Sequence, residues 1–460
     1  MNRGAFYFAN IRKCSNFAAS YTHFRQNNCT KNSVITSEIR NKVTLSRLKY
    51  IFAALVLTAQ TGAAHESADT TVVADSVRHT PRFDPVPAAM GLGMFALGAG
   101  AHYAYPRTYS IPSRYGRPDR GADIVQFAPM ALPWVMKLAG QPTRSDWKRM
   151  AVSQALSTAL MAAAVYPMKE RIHSRRPEGI DDHSFPSGHT AIAFMGATMV
   201  AEELGWRSPW YSIGAYTVAT GVALERVIDK HHFPTDIMAG AGIGILATRL
   251  GYYLSDLMFN SEELSRRLTV MGQNRNFSYL SLETGLLLPL GHIAIGEGSI
   301  ERMPTLTAGF RGGAALSDSW GIALDLGLTS MPLIVNMKYD RTYVTSLHSL
   351  GLILSPTFTH VCSDRISVTA EAGTGYYRNF HFKTIGDAIT AGNGTWVGRF
   401  VAGTIMRFSE HFSARASVGW QLSRYSFSIE PSAAYHIPSA GHASGTTSSL
   451  LVNVSSRYEF

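Results

Sequence analysis

A chain of 460 residues is long for one compact domain, so two or three parts are expected. Hydrophobic residues make up 46% and charged residues only 16%, which leans towards membrane contact, while a formal charge of +10 suits anionic lipids or phosphorylated substrates. The basic residues are dispersed, with no aromatic-interleaved stripe, which argues against a nucleic-acid partner.

At the N-terminus, Arg40, Lys42, Arg47 and Lys49 precede an apolar stretch over 51–59, and Gly62, Ala63 and Ala64 follow it. That layout predicts a secretory signal peptide over 43–64, too short for a membrane span. Residues 1–42 are an unusual extension upstream of such a signal, and a misassigned start near Val43 would explain them. Cys14 and Cys29 would then be absent from the mature protein, leaving Cys362 with no partner for an internal disulfide. Residues 65–84 are polar and read as a lead-in.

Six helical segments follow, near 85–104, 122–140, 146–168, 187–204, 209–227 and 235–257, rich in Ala, Gly and Met. Small residues allow close helix packing. Charges at Lys137, Lys148, Arg149, Glu202, Glu203 and Arg249 keep the hydropathy intermediate, so a soluble bundle with an Ala-rich core stays open beside a membrane one.

Three motifs sit in this segment: Lys169, then Arg176-Pro177; Pro186-Ser187-Gly188-His189; and Arg226 with His232 and Asp236 beyond it. A phosphoryl group in transfer carries negative charge on its equatorial oxygens, so its catalysis is mostly positioning plus electrostatic stabilisation. Lys169, Arg176 and Arg226 could cradle those oxygens without a metal. Ser187, between a proline and an apolar run, occupies a helix N-cap position, which would aim the Gly188 and His189 amides at an anion. Pro234-Thr235-Asp236 opens a second apolar run, and a helix start there would set Asp236 near His232 to fix its tautomer. One histidine can then attack phosphorus while the other protonates the leaving oxygen. His231 beside His232 could suggest a metal pair, but a remaining ligand set is not apparent.

The pattern K-x6-RP, PSGH and R-x5-H-x3-D resembles the type 2 phosphatidic acid phosphatase superfamily, over roughly 85–257. The resemblance implies an all-α helical domain needing no cofactor. It also implies His232 as nucleophile forming a phosphohistidine, Asp236 orienting it and His189 as general acid. Lys169, Arg176, Ser187, Gly188 and Arg226 would bind the phosphate. Glu225 departs from the pattern, standing where the family usually has Ser, which puts one phosphate hydrogen bond in doubt. Among family members the chain looks most like envelope phosphatases acting on the 1-phosphate of lipid A. Undecaprenyl pyrophosphate and phosphatidylglycerol phosphate are competing substrates. A lipid phosphotransferase, a soluble-type acid phosphatase, a vanadate-dependent haloperoxidase and an inactive domain on a barrel anchor stay open as other classes.

After a linker over 258–277 the pattern changes to period two. Trp320, Ile322, Leu324, Leu326 and Leu328 alternate with small or polar residues, and similar runs recur to the last residue, Phe460. Segments of 10 to 13 residues with aromatics near their ends carry the transmembrane β-barrel signature. Eight strands are predicted, near 278–290, 304–316, 319–330, 347–359, 365–377, 396–408, 411–424 and 449–460, giving an antiparallel barrel whose interior is filled by side chains. A terminal Phe resembles the assembly signal of bacterial outer-membrane proteins and implies their assembly machinery as a partner.

The two parts constrain the location. Six membrane-spanning helices with a periplasmic site would strand the barrel in the cytoplasm, and a cleaved signal before six spans would turn the site cytoplasmic. Full export removes the conflict. The expectation is a periplasm-facing catalytic bundle tethered by its own barrel in the outer membrane, with a multi-pass inner-membrane protein as the alternative.

Overall fold

The computed structural model describes residues 85–105, 120–179, 181–259 and 278–459, apart from barrel connections at 296–297, 338–340, 364, 381–382, 385–388, 408–411 and 431–440. The extension over 1–42, the signal peptide over 43–64, the lead-in over 65–84, most of the 258–277 linker and Phe460 lie outside the described residues.

Seven helices come first among the described residues: α1 (Pro85–Ala104), α2 (Arg120–Val125), α3 (Ala128–Leu138), α4 (Trp147–Ile172), α5 (Gly188–Leu204), α6 (Pro209–Ile228) and α7 (Pro234–Met258). The single helix predicted over 122–140 is two helices, because Pro129 has no N–H to give Val125 and the chain turns at Gln126-Phe127. The helix predicted to end at 168 runs on to Ile172, which places Lys169 in its last turn. Side-chain caps open three helices: Asp146 accepts from the Arg149 N–H, Ser187 from Thr190 and Ser208 from Trp210.

α7 is the central helix and packs on α1, α4 and α5. Its glycines set the distance. A Cβ at Gly240 would lie 2.4 Å from the Ser187 carbonyl oxygen, and one at Gly98 of α1 would lie 2.5 Å from the Ala239 nitrogen. The interior charges noted in the sequence gather at the helix ends. Arg144 bonds Glu202 (2.9 Å) and Asp256 (2.8 Å), Arg149 bonds Asp256, Arg249 bonds Glu202, and the Ser145 N–H donates to Glu203. Each has a nearby partner, as charges removed from water require.

The second half is a closed antiparallel barrel of eight long strands. Its walls are β1 (Tyr279–Leu290), β4 (Thr305–Ala315), β5 (Trp320–Met337), β6 (Arg341–Val361), β7 (Ile366–Asn379), β10 (Gly394–Arg407), β11 (Phe412–Ile429) and β12 (Gly441–Glu459). Neighbours in sequence pair, β1 also pairs with β12, and β10 with β11 completes the ring. Short strands decorate one end: β2 (His292–Ile295) with β3 (Gly298–Arg302), and β8 (Lys383–Thr384) with β9 (Ile389–Ala391). Leu324, Leu326, Leu350 and Leu352 are exposed on the outer wall. Inside, Arg311 bonds Glu371 and Asp325, and Arg399 bonds Asp325, filling the lumen with ion pairs.

The bundle is not a pendant domain on a tether. Outward-facing Leu286 of β1 and Leu306 of β4 are buried in the same apolar core as Val222, Ala223, Ile237 and Ile245 of α6 and α7. Trp210 of α6 packs its ring 6.1 Å from that of Tyr458, and the Tyr105 hydroxyl donates to the Pro289 carbonyl (3.1 Å). The helices therefore lie along the outside of the barrel wall.

Candidate active site

The three motifs meet at one end of the bundle because the helices bearing them alternate in direction. Lys169 ends α4, Ser187 caps α5, Arg226 lies in the last turn of α6, and Asp236 lies in the first turn of α7. Backbone hydrogen bonds fasten the loops together. The Arg226 carbonyl accepts from both the His231 and His232 N–H groups (3.0 and 3.2 Å), the Asp236 carbonyl from Ser187 (3.0 Å), and the Lys230 carbonyl from Glu178 (3.2 Å).

Asp236 is fully buried, and its Oδ2 accepts from the Ser184 hydroxyl (2.6 Å) and the Phe233 N–H (2.9 Å). The same oxygen lies 3.8 Å from His232 Nδ1, and Ser184 Oγ lies 3.5 Å from that nitrogen. His232 is therefore held by its Nδ1 side, which leaves Nε2 as the nitrogen able to act on a substrate. Burial pushes the His232 imidazole down to about 3; Asp236 opposes the fall, and the charges of Arg176 and Lys169 add to it. At neutral pH the ring is uncharged, the form a nucleophile needs.

His189, in the first turn of α5, lies beside Arg226: Nη2 of the arginine is 3.1 Å from His189 Nε2. Arg176 is also within electrostatic reach of His189. Arg176 Nε donates to Asp181 Oδ1 (2.7 Å), and Lys169 Nζ donates to the His183 carbonyl (2.6 Å). Ser187 spends its hydroxyl on the helix cap, and Gly188 follows as the first helical residue. All eight residues singled out by the motifs thus stand at one end of the bundle. Asp181 is spoken for by Arg176, whereas Asp182 is exposed. His231 turns to Glu178 (Nδ1 to Oε1, 2.8 Å). Glu225 is half-buried and its charge bears on Arg226.

Three residues of the site carry no motif signal. Asp123 of α2 places Oδ1 2.8 Å from His189 Nε2 and 3.5 Å from Arg226 Nη2. The Asp123 carboxylate thus lies beside both the imidazole and the guanidinium. Ser184 fixes Asp236 from outside the PSGH motif. His102, buried on α1, packs against Phe185 with the ring planes tilted by 50° (centroids 4.2 Å apart) and Nδ1 3.6 Å from Asp236 Oδ1.

Residues 141–258 match the PAP2 superfamily. This segment is a PAP2 domain. Over 138 residues the chain is 42% identical to lipid A 1-phosphatase of Porphyromonas gingivalis, covering 30% of this chain and 31% of that protein. A PA-phosphatase related-family protein of Dictyostelium discoideum is 29% identical over 90 residues, 17% of this chain and 32% of its own length. The chain thus matches about a third of the length of each of these relatives. Among solved structures, Aquifex aeolicus LpxE is similar over 35% of this chain and 93% of its own, at 21% identity and a TM-score of 0.23. The outer membrane protein OprG of Pseudomonas aeruginosa is similar over 40% of this chain and 97% of its own, at 12% identity and a TM-score of 0.34. The PAP2 domain holds all eight motif residues, while Asp123 and His102 reach into its site from helices that precede the matched segment.

Proposed function

We propose that this protein is a lipid phosphate phosphatase that works through a phosphohistidine and removes the 1-phosphate of lipid A in the cell envelope. The observation that carries the reading is the convergence of a buried neutral histidine, a clamped carboxylate, a second histidine and three cations at one helix-bundle end. His232 Nε2 attacks phosphorus and the ester P–O bond breaks. His189, whose pKa burial and the Arg226 charge hold down to about 4 until an anionic phosphate offsets that charge, gives its proton to the leaving oxygen. Lys169, Arg176 and Arg226 neutralise the charge on the phosphoryl oxygens, together with the amides of Ser187-capped α5. A water then gives a proton to His189 as its oxygen attacks phosphorus, the N–P bond breaks, and inorganic phosphate leaves with both His189 and His232 restored. Asp236 holds the imidazole tautomer throughout.

Lipid A is favoured as substrate by the 42% identity to a lipid A 1-phosphatase over 138 residues. A barrel with an apolar outer wall and an ion-paired lumen supports an outer-membrane location, reached through a cleaved signal and the barrel-assembly machinery. The test is inorganic phosphate release from lipid A, undecaprenyl pyrophosphate and p-nitrophenyl phosphate, in detergent with EDTA, for wild type and His232→Ala. Release from lipid A that persists in EDTA and disappears in the variant is expected. Preference for either of the other two substrates would replace lipid A, and no release from any would remove the phosphatase reading for these compounds.

A further inference from the structure

The barrel has two unlike ends. At one end its strands are joined by the short connections 316–319, 362–365 and 408–411. At the other end stand the three-residue connection 338–340 and three longer ones, 291–304, 380–393 and 430–440, two of which carry extra strand pairs. There β5 and β6 also overshoot Leu328 and Leu350, the last outward leucines, by some distance before turning. In outer-membrane barrels short turns face the periplasm and long loops face outward.

The helices are in register with this polarity. The active-site end of the bundle sits at the long-loop end of the barrel. Phe233, Pro234 and Thr235 at the start of α7 line a small cleft with Met303 and Pro304, just before β4, and Tyr105 reaches the Pro289 carbonyl at the top of β1. Lys230, in the loop that carries His232, bears electrostatically on His348 of β6, on the same side. The opposite end of the bundle sits at the short-turn end, where Trp210 meets Tyr458.

The bundle also has the surface of a lipid-facing object. α4 exposes Ala151, Ala155, Ala159 and Ala163, and buries Ser153, Gln154 and Ser157 alongside Met150, Met161 and Val165. Leu92 of α1 and Val135 of α3 are likewise exposed. Aromatic side chains mark both ends of this apolar zone, with Tyr103 and Tyr166 exposed on the site side and Trp147 and Trp206 on the other. Such belts lie at the two membrane–water interfaces. The barrel carries corresponding pairs, Tyr376 with Trp396 towards the long loops and Trp320 with Phe358 towards the short turns.

From these placements we infer that the helical bundle is embedded in the same bilayer as the barrel, flush with its wall, and that its active site opens at the outer surface to a phosphorylated lipid of the outer leaflet. This replaces the periplasm-facing site expected from the sequence. The lipid source rests on the phosphatase reading; the orientation does not.

Two positions report on the two sides. Cys362 is exposed in a short connection, and Asp182 is exposed beside the site. With Cys14→Ser and Cys29→Ser, one form keeps Cys362 and the other carries Cys362→Ser with Asp182→Cys. Both are treated in intact cells with a membrane-impermeant maleimide. The Asp182→Cys form is expected to react in intact cells, and Cys362 only after the outer membrane is permeabilised. Glu170→Cys, exposed at the end of α4, serves as a second site-side reporter and is expected to follow Asp182→Cys. The reverse pattern, reaction of both sides in intact cells, or protection of both site-side reporters until permeabilisation would each overturn the orientation. Phosphate release by the same purified proteins in detergent reads the phosphatase activity separately, so either claim can fail alone.

Discussion

The barrel turns polar side chains inward and apolar ones outward at every second residue, whereas α4 of the bundle buries Ser153, Gln154 and Ser157 together with Met150, Met161 and Val165 under an exposed alanine face. The barrel satisfies its interior with ion pairs among Arg311, Asp325, Glu371 and Arg399, whereas the bundle core is mostly Ala, Gly and Met, with charges gathered at its two ends. One end is an ion-pair cluster without chemistry, built from Arg144, Arg149, Glu202 and Asp256. At the other, Lys169, Arg176 and Arg226 stand among the carboxylates of Asp123, Glu178, Asp181 and Asp236. Close helix packing through Gly98 and Gly240 brings the loops together there. The barrel lumen is thus held by ion pairs, whereas the bundle end at His232 gathers cations and carboxylates around two histidines.

Changes at the two regions should separate activity from stability. His232→Ala is expected to lower phosphate release about 10⁴-fold or more, as removal of a nucleophile does. Asp236→Asn should cost about 10²- to 10⁴-fold in kcat by losing the tautomer and orientation of His232. Ser184→Ala, which removes one hydrogen bond to that carboxylate, should cost roughly tenfold. Steady-state kinetics in detergent distinguish these, and equal losses for all three would contradict the proposed division of roles. Arg311→Met should do the opposite: it leaves Asp325 and Glu371 with one cation fewer and is expected to destabilise the barrel by about 3–5 kcal/mol with kcat unchanged. The temperature of the heat-modified gel shift reads that change; a fall in kcat instead would couple the two halves more tightly than their contacts indicate.

A smaller effect follows from the burial of neutral His232. Its pKa of about 3 in the folded protein lies below the ordinary value near 6.5. Protons then favour the unfolded chain, so stability present above about pH 6.5 is lost as pH falls from there towards 3, by roughly 1.4 kcal/mol per unit. Melting curves of wild type and His232→Gln should diverge over that window, the variant showing the shallower slope. Smallest of all, Asp123→Asn removes the carboxylate that competes for Arg226 and His189, and should tighten inhibition by inorganic phosphate about two- to fivefold. Weaker inhibition would mean that Asp123 helps to hold the ligand.

Much of this was legible in the sequence because it repeats or has fixed spacing. Period-two alternation located all eight long strands, but β5 was predicted to end near 330 and continues to Met337. Met331, Leu333, Ile334 and Val335 are all buried there, so alternation vanishes while the strand goes on. The motif residues were found because helix starts at Ser187 and Pro234 fix where His189 and Asp236 fall. Asp123, Ser184 and His102 were not, since their partners are set by tertiary packing across as many as 134 positions of chain (His102 to Asp236), a distance no local pattern spans. The break at Pro129 was readable in principle, as a missing N–H inside a predicted helix.

The most direct test of the central claim is to trap the covalent intermediate. The protein is mixed with lipid A labelled with ³²P at the 1-phosphate and quenched in alkali within the first turnover. A phosphoryl group on wild type that is stable to alkali, labile to acid and mapped to His232 is the expected result. Full phosphate release with no label on His232, or label that survives in His232→Ala, would contradict it.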